Sequence, residues 1–385
     1  MAALTQNALD EIVREKDYSP DNILPFLQNN DNFISVPVGI KRELSRLGYD
    51  GSDDELVENL KFILTKAGFS KEERRNGKKW LIDGVLPSPK YNYPLRLCFA
   101  FGLTGQAALD FLWKVCRVNG FNFRRAEDIV TCYCLETGRA YNDVNEILAR
   151  YNVHTADDDY DESDATKRTQ TLRLVFNNLA DMDENIFFDL LCKNKKNFIR
   201  YSKTAHEEVL KLKTSLTSKI KSQIDDYNYR KQCAREDGYD YELTLYPEII
   251  YAFELISKAA KGKNTPFGDI MSGFPQDIYL YEMFRTPEEA TDKEHDKARK
   301  AFVLLYFADY ALDPPPIENI FDDFVISLND VLDRCGYGKL YPANPYDWLI
   351  LKCIRSLEYI DQSTGDNPVE LFNEVLIRLA EEQTI

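Results

Sequence analysis

Two stretches decide the fold expected of this chain: Asp128-Ile-Val-Thr-Cys-Tyr-Cys-Leu135 and Asp347-Trp-Leu-Ile-Leu-Lys-Cys-Ile354. They share one pattern at a constant offset of 219 positions, which also matches Cys116 to Cys335. The agreement extends outward to 109–148 in the first copy and 328–376 in the second, which is nine residues longer near its end. Two copies so far apart predict a duplicated helical module within a globular protein rather than a solenoid array.

Apolar residues recur with helical spacing along most of the chain, and alternating strand patterns are scarce. The sequence therefore predicts an all-α, multi-helical protein in which two related helical modules flank a helical middle region. The predicted segments are N-terminal helices at 1–50, a helix-turn-helix-like unit with the first module at 51–155, an acidic linker at 156–168, a middle helical region with a basic segment at 169–285, and the second module at 286–385.

The composition bounds the function classes. A net charge of −16 over 385 residues argues against broad binding to a phosphate backbone, because basic residues displace the counterions of DNA. The eight cysteines lie mostly within apolar helical patterns, which predicts buried reduced thiols and no metal site. No leader-like N-terminus or membrane-spanning apolar run is visible, so a soluble, cytoplasmic protein is expected.

One segment reverses the acidic balance. Residues 193–231 hold eleven Lys or Arg against four acids, a balance of +7 that leaves −23 for the remainder. Such a segment is a solvated helix face, a surface that docks on the acidic linker, or a contact for RNA, DNA or an acidic protein. We expect a protein partner with an acidic surface, and the candidate partner-binding residues are Lys195, Lys196, Arg200, Lys203, Lys211 and Lys213.

Three landmarks resemble lambda-repressor-like helix-turn-helix domains: Ala67-Gly-Phe-Ser70, Trp80-Leu-Ile-Asp-Gly-Val-Leu-Pro-Ser88 and Leu95–Leu103. The resemblance implies a DNA-binding scaffold. Between Ser70 and Trp80 the chain has room for roughly one helix, whereas that family has two helices and a turn there. The resemblance gives the alternative function, a DNA-binding transcriptional regulator with nucleic-acid contacts at Arg74, Arg75, Lys78 and Lys79.

The repeat, with Tyr341-Pro-Ala-Asn-Pro-Tyr-Asp-Trp-Leu349 in its second copy, looks like a family of uncharacterised bacterial proteins often associated with mobile elements. This resemblance implies a fold and an origin in a mobile element, phage or phage-defence locus. It implies no catalytic residues.

No familiar catalytic or phosphate-binding motif occurs among the 385 residues, and the three histidines are scattered. One pattern remains, Arg200-x5-His206, which is similar to the motif of all-helical ribonucleases found in toxin and abortive-infection systems. That resemblance gives a second alternative, in which Arg200 stabilises a pentacovalent phosphate and His206 moves the proton of the 2′-hydroxyl. No cofactor is expected.

The matched pair Asp128 and Asp347 each precede an apolar helical run, which suits a helix cap or a first-turn charge that complements the helix dipole. If Asp347 is a cap, its replacement by Ala costs about 1 kcal/mol. Together these observations favour a non-enzymatic regulatory or interaction protein, a scaffold or adaptor.

Overall fold

The computed structural model describes residues 2–14, 18–29, 31–88, 92–118, 120–154, 175–176, 178–195, 198, 203–221, 295–315, 318–359 and 368–381. The predicted acidic linker at 156–168 lies outside these residues, as does 222–285 of the predicted middle region. Within them the chain is all-α, with fifteen α-helices, two short 3₁₀ helices and no strand, which confirms the predicted fold class. No helix in the described part is long and apolar enough to cross a membrane.

The helices are α1 (Ala2–Arg14), α2 (Pro20–Gln28), α3 (Val36–Arg46), α4 (Asp53–Lys66), α5 (Asn76–Leu81), α6 (Tyr93–Phe101), α7 (Gly105–Lys114), α8 (Ala126–Glu136), α9 (Tyr141–Val153), α10 (Glu184–Lys193), α11 (Lys203–Lys221), α12 (His295–Leu312), α13 (Ile320–Cys335), α14 (Pro345–Ser356) and α15 (Pro368–Glu381). The 3₁₀ helices are Glu73–Arg75 and Leu179–Asp181.

The chain divides into two compact units. The first comprises 1–33, 204–332 and 339–385, and the second comprises 34–203 and 333–338. The first repeat copy lies in the second unit, and most of the second copy lies in the first unit. The predicted segment boundaries and the duplication of a module stay predictions.

Local sequence signals explain several helix ends. The Ser52 hydroxyl accepts a bond from the Glu55 N–H, and the Glu55 carboxylate accepts one from the Ser52 N–H at 2.7 Å. This reciprocal capping box starts α4. Gly138 ends α8 with a positive φ of 69°, a conformation that glycine adopts without steric cost.

In the first unit, Trp348 of α14 is the largest fully buried side chain. Its ring stacks on Phe26 of α2 at 4.6 Å, and its Nε1–H donates to the Ala8 carbonyl of α1 at 3.0 Å. Helix α14 also packs on α12 and α15. The indole therefore joins the N-terminal helices to the second repeat copy, and its one polar group is satisfied there.

In the second unit, α8, α9 and α10 enclose a core built largely from the first repeat copy. The rings of Tyr133 and Phe187 stack at 3.9 Å, with 6° between their planes. Cys132, Cys134 and Cys192 belong to this core. Helices α3 to α6 form the neighbouring part of the same unit, in which α5 packs on both α3 and α4.

Candidate basic binding surface

Helix α5 separates its apolar and basic residues onto opposite sides. Gly77, Trp80 and Leu81 are buried, whereas Lys78 and Lys79 are exposed, as is Arg75 directly before the helix. The 3₁₀ helix Glu73–Arg75 runs directly into α5, so 73–81 is one short helical segment. The spacing of three and four residues places the three cations on one side of this segment. Helix α5 thus presents a basic side, defined here as Arg75, Lys78 and Lys79.

The buried side of α5 rests on α4 at close range. A Cβ atom at Gly77 would lie 3.3 Å from methyl groups of Leu60 and Leu64, so glycine lets the two helices approach. Trp80 packs its ring against Tyr93 at 5.3 Å and edge-on against Phe69 at 6.1 Å. These contacts fix the rotation of α5, and the basic side therefore faces away from the core.

A buried arginine fixes the start of the segment. Arg96 of α6 donates through Nη1 to Glu73 at 2.7 Å and through Nη2 to the Gly68 carbonyl at 2.8 Å. The Glu73 carboxylate also accepts a bond from the Ser70 N–H at 2.7 Å. The hydrogen bond from Arg96 is the main cause of the lowered pKa of Glu73. Glu73 is therefore held ionised, and it connects the end of α4 to the start of α5.

The basic side has no internal counter-charge. In the part of the chain that the structure describes, Arg75, Lys78 and Lys79 form no ion pair with a carboxylate. Arg74, the fourth residue assigned to nucleic acid, differs because it is half-buried and donates to the Thr65 hydroxyl of α4. Three of the four predicted contacts therefore share one exposed surface, and the fourth supports the helix junction.

Two described lysines of the basic segment at 193–231 make contacts within the chain. The Lys195 ammonium donates to the carbonyls of Tyr151 at 2.7 Å, Asn152 and His154, and so satisfies the C-terminal end of α9. Lys211 pairs with Glu208 of its own helix at 2.8 Å. Lys196 and Arg200 lie outside the described residues, as do the side chains of Lys203 and Lys213.

His206 lies in the first turn of α11 and is half-buried. Arg200 is outside the described residues, so the structure gives no distance between Arg200 and His206. The ribonuclease alternative stays a prediction.

Asp347 is not the cap of α14. The cap is Asn344, whose side chain accepts from the Tyr346 N–H at 2.9 Å. Asp347 lies in the first turn, fully buried, and forms two hydrogen bonds with the Arg299 guanidinium of α12. Its Oδ2 also accepts from the Tyr341 N–H at 2.8 Å. The cap interpretation is therefore wrong at this position, and the first-turn charge interpretation is correct.

The matched residue Asp128 has the same loop contact with a different counter-charge. Its Oδ2 accepts from the Asn122 N–H, six residues upstream, at 2.9 Å. Its nearest cation is the half-exposed Arg125, at 3.4 Å from Oδ1. Burial raises the pKa of the Asp128 carboxyl, and Arg125 offsets this only in part. The two aspartates therefore share a loop contact, and the duplication of the module stays a prediction.

The described thiols are deep in the core. Burial is the main cause of raised pKa values at Cys98, Cys132, Cys134, Cys192 and Cys353, and the pKa of Cys134 rises to about 12. Thiols with such values are poor nucleophiles at neutral pH. Within the described ranges no group of three or more His, Cys, Asp or Glu side chains is arranged to hold a metal ion.

The sequence reasoning missed Arg96 and Arg299. A signal for Arg96 was present, since it is one charged residue inside the apolar run Leu95–Phe101. A lone charge on the apolar side of a helix indicates a buried partner. Arg299 has no such signal, because the preceding turn of α12 is rich in charges.

Comparison with known proteins adds no identity: no protein family, no curated protein and no solved structure matches this chain. The lambda-repressor-like and mobile-element resemblances therefore stay predictions. The predicted single helix between Ser70 and Trp80 is confirmed by the continuous segment 73–81.

Proposed function

We propose that this chain is a non-enzymatic interaction protein, regulatory or scaffolding, that binds a protein partner with an acidic surface. The basic side of α5 supplies the contact. The proposal moves the partner site from the residues predicted in 193–231 to Arg75, Lys78 and Lys79, because Lys195 already serves the end of α9.

The observation that supports the proposal is the combination of exposure and rigid support. Three exposed cations lie on one side of a helix whose other side is fixed by Gly77 and Trp80. A surface that is ordered before binding loses little conformational entropy when a partner docks. In a chain of net charge −16, unpaired cations on a rigid support favour complementarity to an acidic partner over a role in folding.

DNA binding is the second candidate, because the same three cations suit phosphate groups. A recognition helix reads bases by lying in the major groove, and helix-turn-helix proteins use a full helix for this. The six residues of α5 span about 9 Å. Sequence-specific reading by α5 is therefore disfavoured, and we rank DNA below a protein partner.

The test is capture of partners from the native host with the tagged full chain, with and without nuclease. We expect a nuclease-resistant protein partner whose recovery falls as salt rises, because exposed charge contacts are screened. The variant Arg75→Glu/Lys78→Glu/Lys79→Glu should lose that partner. Recovery that disappears with nuclease in the wild-type chain would favour the DNA alternative.

A matched control separates the basic side of α5 from net charge. Arg42→Glu/Lys66→Glu/Lys339→Glu makes the same change in net charge at three exposed residues outside α5. This control should retain the partner. If both triple variants lose the partner equally, the long-range charge of the whole chain directs capture, and the site assigned to α5 is wrong.

A further inference from the structure

Two exposed apolar side chains follow α5 along the chain. Ile82 is 39% exposed and Val85 is 47% exposed. The Ile82 N–H donates to the Lys78 carbonyl at 2.8 Å, and the Val85 N–H donates to the Lys79 carbonyl at 3.1 Å. The backbone of both apolar residues is therefore bonded to the last turn of α5.

The spacing places Ile82 on the same side as the cations. It follows Lys78 by four residues and Lys79 by three, and its backbone keeps right-handed helical angles, with φ of −108° and ψ of −48°. Side chains three and four residues apart share one face of a helix. The exposed surface is consequently mixed, because Ile82 lies beside the cations. Val85, whose backbone is bonded to the same turn, is the next exposed apolar side chain along the chain.

A mixed surface discriminates between two kinds of acidic partner. Phosphate and sugar groups of a nucleic-acid backbone bind cations but offer little apolar surface to cover Ile82 and Val85. A protein segment offers negative charge and apolar surface together, because one peptide can carry both carboxylates and apolar side chains. Protein interfaces commonly combine an apolar centre with a charged rim. Covering the two apolar side chains adds affinity in proportion to the area removed from water.

We infer that this surface binds an acidic peptide segment of the partner, with carboxylates on Arg75, Lys78 and Lys79 and apolar side chains against Ile82 and Val85. The inference rests on the proposed function and specifies the partner's chemistry. The ion pairs orient the segment and speed its encounter, and the apolar contacts supply selectivity over other polyanions.

The support beneath the surface suits this role. Arg96 fixes Glu73 at the start of the segment, and Trp80 and Leu81 are buried beneath its last turn. The segment is therefore held at both ends, and the exposed side chains project from a backbone that needs no rearrangement. We expect a rigid-body encounter with the peptide.

The test measures anisotropy of three fluorescent probes titrated with the full chain. The first is a peptide of Glu and Leu, the second is the same peptide with every Leu replaced by Ser, and the third is a DNA duplex of similar charge. We expect the Leu peptide to bind about tenfold more tightly than the Ser peptide. The DNA duplex should bind no better than the Ser peptide.

Two sets of variants assign the effect. Ile82→Ser/Val85→Ser should remove the tenfold preference and leave affinity for the Ser peptide unchanged, and Ile82→Thr/Val85→Thr repeats the test with side chains of the original branched shape. Arg75→Glu/Lys78→Glu/Lys79→Glu should weaken both peptides. Circular dichroism and the melting temperature confirm that each variant is folded.

The outcomes separate the inference from the proposed function. Equal affinity of the wild-type chain for the two peptides, or tighter binding of the DNA duplex, overturns the inference. Peptide binding that is unaffected by the triple charge reversal overturns the α5 site itself. No binding of either peptide at low salt overturns both.

Discussion

Arg299 and Asp347 form a bidentate ion pair in which neither side chain is exposed. Nη1 lies 2.9 Å from Oδ1, and Nη2 lies 2.7 Å from Oδ2. The same guanidinium donates to the Lys339 carbonyl at 2.9 Å, and the same carboxylate accepts from the Tyr341 N–H. The pair therefore connects α12, α14 and the loop that precedes α14.

Asp347→Ala should lower the free energy of unfolding by about 3–5 kcal/mol, because it removes the carboxylate that forms a bidentate pair with the fully buried Arg299 guanidinium. This exceeds the loss expected for a helix cap. Urea denaturation of the purified chain measures the change. The double variant Arg299→Met/Asp347→Leu should be less destabilised than Asp347→Ala, since it removes both charges. A loss below about 1 kcal/mol for Asp347→Ala would contradict the role assigned to the pair.

Asp128→Asn should behave oppositely to Asp347→Asn at the matched position. Burial raises the pKa of folded Asp128 above its unfolded value, so folding favours the protonated form. The stability contributed by Asp128 is present below about pH 4 and is lost as pH rises through the folded pKa. We expect Asp128→Asn to gain stability relative to wild type as the pH rises above about 4.

The measurement for this pair is urea denaturation across that pH range, with Asp347→Asn as the matched control. Asp347→Asn should be destabilised throughout, because Arg299 stays charged. Parallel pH profiles for wild type and Asp128→Asn would show that Asp128 titrates normally.

Gly39→Ala should destabilise the second unit although alanine is the better helix former. An added Cβ would lie 2.5 Å from both γ-carbons of Val115, a distance that forces α3 away from the end of α7. Overpacking of this kind costs about 1–3 kcal/mol and outweighs a propensity gain of about 1 kcal/mol. Thermal melting of Gly39→Ala, Val115→Ala and the double variant measures the clash. The double variant should lose less stability than the sum of the losses in the two single variants, because removing the Val115 methyl groups relieves the clash.

Arg96→Lys should loosen α5 without changing the net charge. Lysine cannot reproduce the fork that bonds Glu73 and the Gly68 carbonyl together. We expect a loss of about 1–3 kcal/mol and faster hydrogen exchange at residues 73–81. Exchange measured by mass spectrometry tests this, and residues of α9 serve as an internal reference. Unchanged exchange at 73–81 would mean that Trp80 alone positions the helix.

Lys195→Met should separate support of α9 from partner binding. It removes the ammonium that contacts three carbonyls at the end of α9, for an expected loss of about 1 kcal/mol. Capture of the partner should persist, because the α5 surface is intact. A pull-down at a temperature well below the melting point tests this. Loss of capture with unchanged stability would return the partner site to the segment 193–231.

Local patterns in the sequence were enough to place most helices in the described residues. The capping box at Ser52 and Glu55, the glycine after α8 and the apolar spacing of α4 each act over a few residues, so the sequence states them directly. The single helical segment at 73–81 was also predictable, because the few residues between Ser70 and Trp80 have room for only one helix.

The basic residues of α5 were also visible in the sequence, but the internal contacts of Lys195 were not. The sequence counts charges and does not show which are already satisfied. Lys195 lies 41 to 44 residues from the carbonyls that it contacts, so its role depends on the folding of α9 and α10 together.

By itself the sequence determined the all-α class, several helix ends and the repeated aspartates, because helix periodicity and capping are local interactions. Only the tertiary structure decided what those aspartates do. Asp347 forms a buried ion pair because α12 brings Arg299 to it from 48 residues away. The ion-pair partner of Asp128 is Arg125, a neighbour at the start of its own helix. The physical reason is that the strength of an ion pair depends on the distance between the two charges and on their burial. The order of residues within one segment shows neither quantity.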